Sequence, residues 1–149
     1  MRYLTVLLIL LVISSSCGTI KDTDQQLAEI ETMAQKAIIG EPSKDNPLTE
    51  ISNAALDGNM LKLTVSYSGG CEDQVFDLVG NEMIMKSFPP KRNMTLVRDS
   101  KGDACREFIT KELLFDLTEL SYQKKNGSEI ILQLNGYDKE IRYVFQGEE

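Results

Sequence analysis

The chain has 149 residues, with 16 basic and 23 acidic side chains, a formal charge of −7, three cysteines and no histidine. The acidic balance argues against nucleic acid, or an anionic membrane face, as a partner. The missing histidine excludes Ser-His-Asp and Cys-His catalysis and any general base built on imidazole.

The first sixteen residues read as an export signal. Arg2 gives a short positive start, Leu4 to Ile13 an apolar run, and Ser14 to Ser16 a small-residue cleavage site. About ten apolar residues are too few to cross a ~30 Å hydrocarbon core. Cys17 follows the small residues directly. This arrangement resembles the lipobox of bacterial lipoproteins, although Ser14 stands where that family usually has Leu, three residues before the cysteine. The resemblance implies that Cys17 is diacylated on sulfur and becomes the first residue of the mature chain. Two or more acyl chains anchor stably where one does not. Ordinary cleavage at the Ser-x-Ser site, leaving Cys17 as a free thiol, is the alternative. Loss of residues 1–16 removes one of the 16 basic residues and none of the 23 acidic ones, which makes the mature charge −8. The 133 residues that remain suffice for one core. Lys21-Asp22-Thr23-Asp24 loosely resembles the export signal of surface-exposed Bacteroidota lipoproteins, and Gly18 is not the aspartate linked to inner-membrane retention in enterobacteria. The expected location is the cell envelope, most simply the outer membrane, periplasmic or surface-exposed, with the membrane held through lipid on Cys17.

Thr23 to Gln26 fits a capping box, and Leu27, Ile30, Ala34, Ala37 and Ile38 recur at helical spacing before Gly40 and Pro42. A helix is predicted over 24–38, followed by a polar linker to Pro47. From Leu48 the period changes to two. Leu61, Leu63, Val65 and Tyr67 alternate with polar residues, and Asp57-Gly58-Asn59 predicts a hairpin with the stretch 51–56. Phe76 and Leu78 open the next strand, Gly80-Asn81 ends it, and 83–85 continues. Pro89-Pro90 interrupts before Met94, Leu96 and Val97, and 100–103 forms a tight turn. Residues 106–111 fit helix or strand equally. Leu113, Phe115 and Leu117 alternate again, and Ile130, Leu132 and Leu134 face Ile141, Tyr143 and Phe145 across 135–138, the clearest hairpin in the chain.

The expected fold is mainly β: a small antiparallel sandwich or barrel preceded by one N-terminal helix. No long second helix follows any strand, which argues against a βαβ parallel sheet. The expected division is a signal peptide over 1–16, lipidated cysteine, helix and linker over 17–47, and a β-domain over 48–149.

With Cys17 given to lipid, Cys71 and Cys105 remain as an even pair in an oxidising space. A disulfide between them closes a loop of about 35 residues, worth roughly 3.5–4 kcal/mol by chain entropy. There is no CxxC spacing, and zinc would lack its usual histidine ligands. Gly69-Gly70 suits a turn that aims Cys71 at Cys105; a ligand cradle is the alternative, but no helix start follows to make a phosphate loop. Asp77 and Asp116 sit within strands, as solvent-face residues or, less simply, a carboxylate pair for glycoside hydrolysis. Asp99 and Asp103 flank a turn and offer a loose start on a Ca²⁺ site without the full oxygen set. Asn93-Met94-Thr95 matches a glycosylation sequon, which carries little meaning in a bacterial protein. No catalytic residue and no cofactor is expected.

Tyr67-Ser68-Gly69-Gly70-Cys71, Phe76-Asp77-Leu78, Asp103-Ala104-Cys105 and Phe115-Asp116-Leu117 together resemble a pattern of small uncharacterised Bacteroidota lipoproteins. Those proteins often carry a histidine two residues before the Phe, where this chain has Gln74. A more distant similarity is to the C-terminal β-sandwich of NigD-like lipoproteins. Neither implies a reaction. Two functions follow: a lipid-anchored, non-catalytic binding or structural domain of the envelope, or a protease inhibitor of the small β-barrel lipoprotein type. The inhibitor needs an exposed rigid loop, and Ser87 to Asn93, with Pro89-Pro90, is the candidate.

Overall fold

Alternation of apolar and polar residues fixes which face of each strand is buried. In the strand Met60–Gly69, Leu61, Leu63, Val65 and Tyr67 are buried while Lys62 and Ser68 are exposed. The structure, a computed structural model, describes residues 34–147. Nine strands run in chain order: β1 Gln35–Lys36, β2 Ile38–Ile39, β3 Glu50–Asp57, β4 Met60–Gly69, β5 Val75–Met85, β6 Lys91–Asp99, β7 Glu107–Asp116, β8 Glu129–Leu134 and β9 Glu140–Val144. They form a four-stranded sheet, β1-β7-β4-β3, and a five-stranded sheet, β2-β5-β6-β8-β9. The inner faces close on one core that includes Leu61, Leu63, Phe76, Leu78, Phe115 and Tyr143. The two sheets do not join into a closed barrel.

The expected hairpins form. Residues 50–57 pair with 60–69 across a turn in which Gly58 takes φ 55°. Asn59 then ties that turn to the chain end: its carboxamide accepts from the Tyr143 hydroxyl at 3.0 Å and the Gln146 amide at 2.9 Å. Glu129–Leu134 and Glu140–Val144 form the second hairpin. Residues 107–111, undecided between helix and strand, are extended within β7. Residues 83–85 belong to β5 itself, beyond a register shift between Gly80 and Ile84.

Two expectations are corrected. Most of the helix expected over 24–38 lies outside the described residues, and its described end is strand. Gln35–Lys36 pairs with Phe115 and Asp116 of β7, and Ile38–Ile39 with Val79 and Gly80 of β5, while Ala37 between them is fully buried. Edge pairing with both sheets supplies backbone partners, including Ala37 N to Asp116 O at 2.9 Å and Gly40 N to Gly80 O at 3.0 Å. Tertiary contacts thus override a local helical pattern. The two-sheet unit also includes these residues ahead of Leu48.

The sheets, moreover, are mixed rather than antiparallel. β1–β7, β2–β5 and β6–β8 are parallel pairs. After β6 the chain crosses to the other sheet as β7. It returns through a single 3₁₀ turn, Thr118–Leu120, and enters β8 in the direction of β6. Gly80 lets that turn sit close: a Cβ there would lie 2.5 Å from a Leu120 methyl. Among the described residues no helix is long and apolar enough to cross a membrane.

Candidate functional site

Cys71, Cys105, Gly69-Gly70 and Asp103 gather at one end of the sandwich, where β4 ends and β5 and β7 begin. Cys71 and Cys105 are joined in a disulfide with their Cα atoms 5.8 Å apart. Beside it the Asp103 carboxylate is wrapped by donors. One oxygen accepts from the amides of Gly70 (2.8 Å), Cys71 (3.2 Å) and Glu72 (3.3 Å) and from the Gln74 side chain (3.0 Å). The other accepts from the Cys105 amide at 2.9 Å. Gly70 has φ 120°, and a Cβ at Gly69 would fall 2.2 Å from the Gln74 nitrogen. The double glycine is therefore a turn that curls its amides around an internal carboxylate, and Asp103 already fills the cradle. The Cys105 amide, with Gln74 and the Glu72 and Cys71 amides, holds the Asp103 carboxyl well below the usual carboxylate range despite partial desolvation.

Gln74 passes the contact inward. It is 8% exposed, and its carbonyl oxygen accepts from Arg98 at 2.6 Å. Arg98, 5% exposed, also donates to Ser68 O (3.1 Å), Leu48 O (2.9 Å) and Thr49 Oγ1 (3.0 Å), and its guanidinium lies 5.2 Å from the centre of the Tyr67 ring. The Arg98 amide donates to Asn46, whose own amide donates to Leu96 O. Sequence reasoning missed Arg98 and Arg92. Both lie on the inward row Arg92, Met94, Leu96, Arg98, a period-two pattern that was the available signal.

The remaining acidic candidates are not brought together. Asp77 is exposed on β5, whereas Asp116 lies on the other sheet and accepts from the amide and hydroxyl of Thr118. Asp99 is engaged by the amide (2.9 Å) and ammonium (2.5 Å) of Lys101, whose side chain chiefly lowers its pKa. Asp103 faces its amide row instead, so the two carboxylates share no donor. Cys71, Asp103 and Cys105 present ligand-type atoms within 4.8 Å of one another, yet the sulfurs are bonded to each other and the carboxylate is occupied. Cys17 lies outside the described residues.

At the opposite end of β5 and β6, residues 86–90 form a short loop. The Ser87 amide donates to Met85 O at 2.9 Å and its hydroxyl to Pro89 O at 2.7 Å, while Pro89 and Pro90 fix their own φ angles. Phe88 at the tip is fully exposed, Met83 is 78% exposed and Met85 42% exposed. Only the first part of the expected 87–93 loop is loop, since Lys91, Arg92 and Asn93 belong to β6. The two methionines read in the sequence as ordinary strand. Met-x-Met just ahead of a diproline was the signal for an apolar surface.

The fold has relatives among solved structures. A NigD-like immunity protein from Bacteroides caccae superposes with a TM-score of 0.54 at 17% identity, covering 75% of this chain and 64% of that one. A protein of unknown function from Bacteroides vulgatus gives 0.51 at 21% identity, covering 78% and 57%. The chain thus spans less than two thirds of each. At these identities the likeness is one of fold. No protein-family model matches the chain, and no curated protein matches it.

Two outcomes test the polar network. Arg98→Met keeps an apolar stem but strands buried acceptors, and is expected to lower the unfolding free energy by about 3 kcal/mol in urea titrations. The Asp103 carboxyl ionises more readily folded than unfolded, where its pKa is near 3.9. Its contribution to stability is therefore complete above that value and lost as the pH falls through it toward the lower folded value. The urea midpoint should drop on acidification below about pH 4. Asp103→Asn should start lower at neutral pH and show a shallower drop, with Asp99 and Glu140, also depressed, leaving a residual slope.

Proposed function

We propose that this chain is a lipid-anchored protein of the cell envelope whose sandwich binds another protein and performs no catalysis. Cys17 is the anchor in this reading, supported by the apolar run and small residues ahead of it. The observation that carries the binding role is Phe88, fully exposed on a diproline-braced loop, with Met83 and Met85 exposed on the strand that leads into it. An exposed aromatic on a short braced loop, following a strand end with exposed adaptable thioethers, suits insertion into an apolar pocket. The carboxylates that chemistry would need are otherwise engaged: Asp103 by its amide row, Asp116 by Thr118 and Asp99 by Lys101. One fold neighbour is described as an immunity protein. A role exercised by binding is in keeping with that description.

Protease inhibition is the second reading, favoured by the same braced loop. It differs in where Phe88 would go, namely into a protease's substrate cleft rather than a resident envelope partner.

Cys17→Ser should abolish incorporation of labelled palmitate and shift the protein from the membrane to the soluble fraction; a labelled variant would sink the anchor. A photoreactive phenylalanine at position 88 should give a discrete adduct in intact cells that Met83→Asp removes, whereas the same probe at Tyr122 gives none. Equal adducts at both positions would refute the loop. If Phe88 serves inhibition, the purified protein should slow at least one member of a panel of secreted proteases and Phe88→Ala should not.

A further inference from the structure

Strand β7 is covered by β1 over only a short stretch, on the side of the sandwich that it shares with β5. β1 covers β7 only at Phe115 and Asp116, and β4 lies on its other side throughout. The Asp116 carbonyl points toward β1, since it accepts from the Ala37 amide. Within a regular strand the N–H and C=O of one residue point the same way and alternate residues share that side. The register of β7 against β4 has no shift from Glu107 to Asp116. Hence Phe108, Thr110 and Glu112 direct six backbone donors and acceptors outward and Leu114 adds its N–H, none with a strand partner there among the described residues; the Leu114 carbonyl is taken by Gln35, as the parallel register of β1 on β7 requires. Edges of this length are usually shortened, covered or charged.

The alternate residues face inward. Ile109, Lys111 and Leu113 stand opposite Tyr67, Val65 and Leu63, all of them core side chains. Lys111 thus points toward the gap between the sheets, although it remains exposed and has no acidic partner among the described residues. Glu112, its neighbour on the outer face, is engaged by Lys62 at 3.5 Å. A groove of about 920 Å³ opens beside β7 and extends to the β3–β4 hairpin, with Gln35, Gln74, Phe76, Lys111 and Leu113 on part of its lining and residues 55–60 on the rest.

We propose that this open edge of β7 accepts an extended peptide strand of a partner, in line with β1, carrying an acidic side chain with an apolar one two residues away on each side. The seven outward groups supply backbone pairing. Ile109 and Leu113 supply apolar contacts, and Lys111 selects the acid. A second copy of the chain is a poor occupant: antiparallel pairing over 108–114 would set Lys111 directly opposite Lys111. The surface is distinct from the 86–90 loop, so either can fail alone.

The probe is the capped heptapeptide Ser-Val-Thr-Glu-Thr-Val-Ser, with Ser-Val-Thr-Lys-Thr-Val-Ser as its counterpart, titrated into the full-length protein and followed by amide NMR. The expected result is shifts centred on Phe108, Thr110, Glu112 and Leu114, with the Glu peptide binding about fivefold more tightly than the Lys peptide. Because the mature chain is acidic overall, a preference for the acidic peptide would report a local cation, and Lys111→Glu should reverse it. Absence of shifts at these four amides, or equal affinity for the two peptides, would overturn the proposal. So would slow hydrogen exchange at those amides in the free protein, which would show the edge already covered by another part of the chain.

Discussion

A guanidinium buried with no carboxylate in contact must find neutral oxygens, and one end of this sandwich is built around that demand. Arg98 sits at the end of the inward row of β6 and meets it with Ser68 O from β4, Gln74 from the approach to β5, and Leu48 O and Thr49 Oγ1 from the approach to β3. The four acceptors come from three stretches of chain, so a single side chain fixes where several elements begin or end. Gln74 relays the contact to Asp103, and Asp103 gathers the Gly70–Glu72 amides beside the disulfide. A covalent link worth a few kcal/mol thus shares its corner with a polar network whose loss would leave several buried groups unpaired. Such networks are stable only when every member is satisfied.

The same interaction explains which parts of the fold were legible in the sequence. Alternating runs such as Leu61, Leu63, Val65 announce a strand because each apolar side chain reports its own burial. The turn at Gly58 and the hairpin after Leu134 follow from local chemistry. Arg98, Gln74 and Asp103 announce nothing locally: a charged or amide residue near a turn looks like solvent-facing surface until its acceptors arrive from 24 to 50 residues away. β1 and β2 were illegible for another reason. Two-residue strands have no period, and Ala34, Ala37 and Ile38 satisfy a helical spacing as well as an edge crossing. The parallel pairing of β6 with β8 depends on β7 changing sheets, a global event that no short window records.

At the candidate sites the outcome is similar. The cysteine pair could be read from parity and compartment, and the double glycine from its backbone freedom. That the Gly70–Glu72 amides surround Asp103 could not be read, because a carboxylate 33 residues beyond Gly70 is needed to complete the turn. The loop at 86–90 was visible through its prolines. Its apolar reach was understated, because Met83 and Met85 look like strand core until the register shift after Gly80 turns them outward.

The two ends of the β5–β6 pair therefore differ in kind. One end is closed by a disulfide, a capped carboxylate and a buried arginine, and leaves few polar groups free to act on a ligand. The other end has a buried arginine of its own but neither disulfide nor capped carboxylate, and it holds a phenyl ring in water, where leaving it unburied forgoes roughly 1.5–3 kcal/mol. Arg92, the counterpart of Arg98 at this end, donates to Asn81 O, and its Nε has no partner among the described residues. The cross-linking contacts are concentrated at the Arg98 end, and the exposed apolar surface is carried on the braced loop at the other. In the binding role proposed above, that distribution would let the cost of ordering be met on folding and leave burial of the tip for a partner to supply.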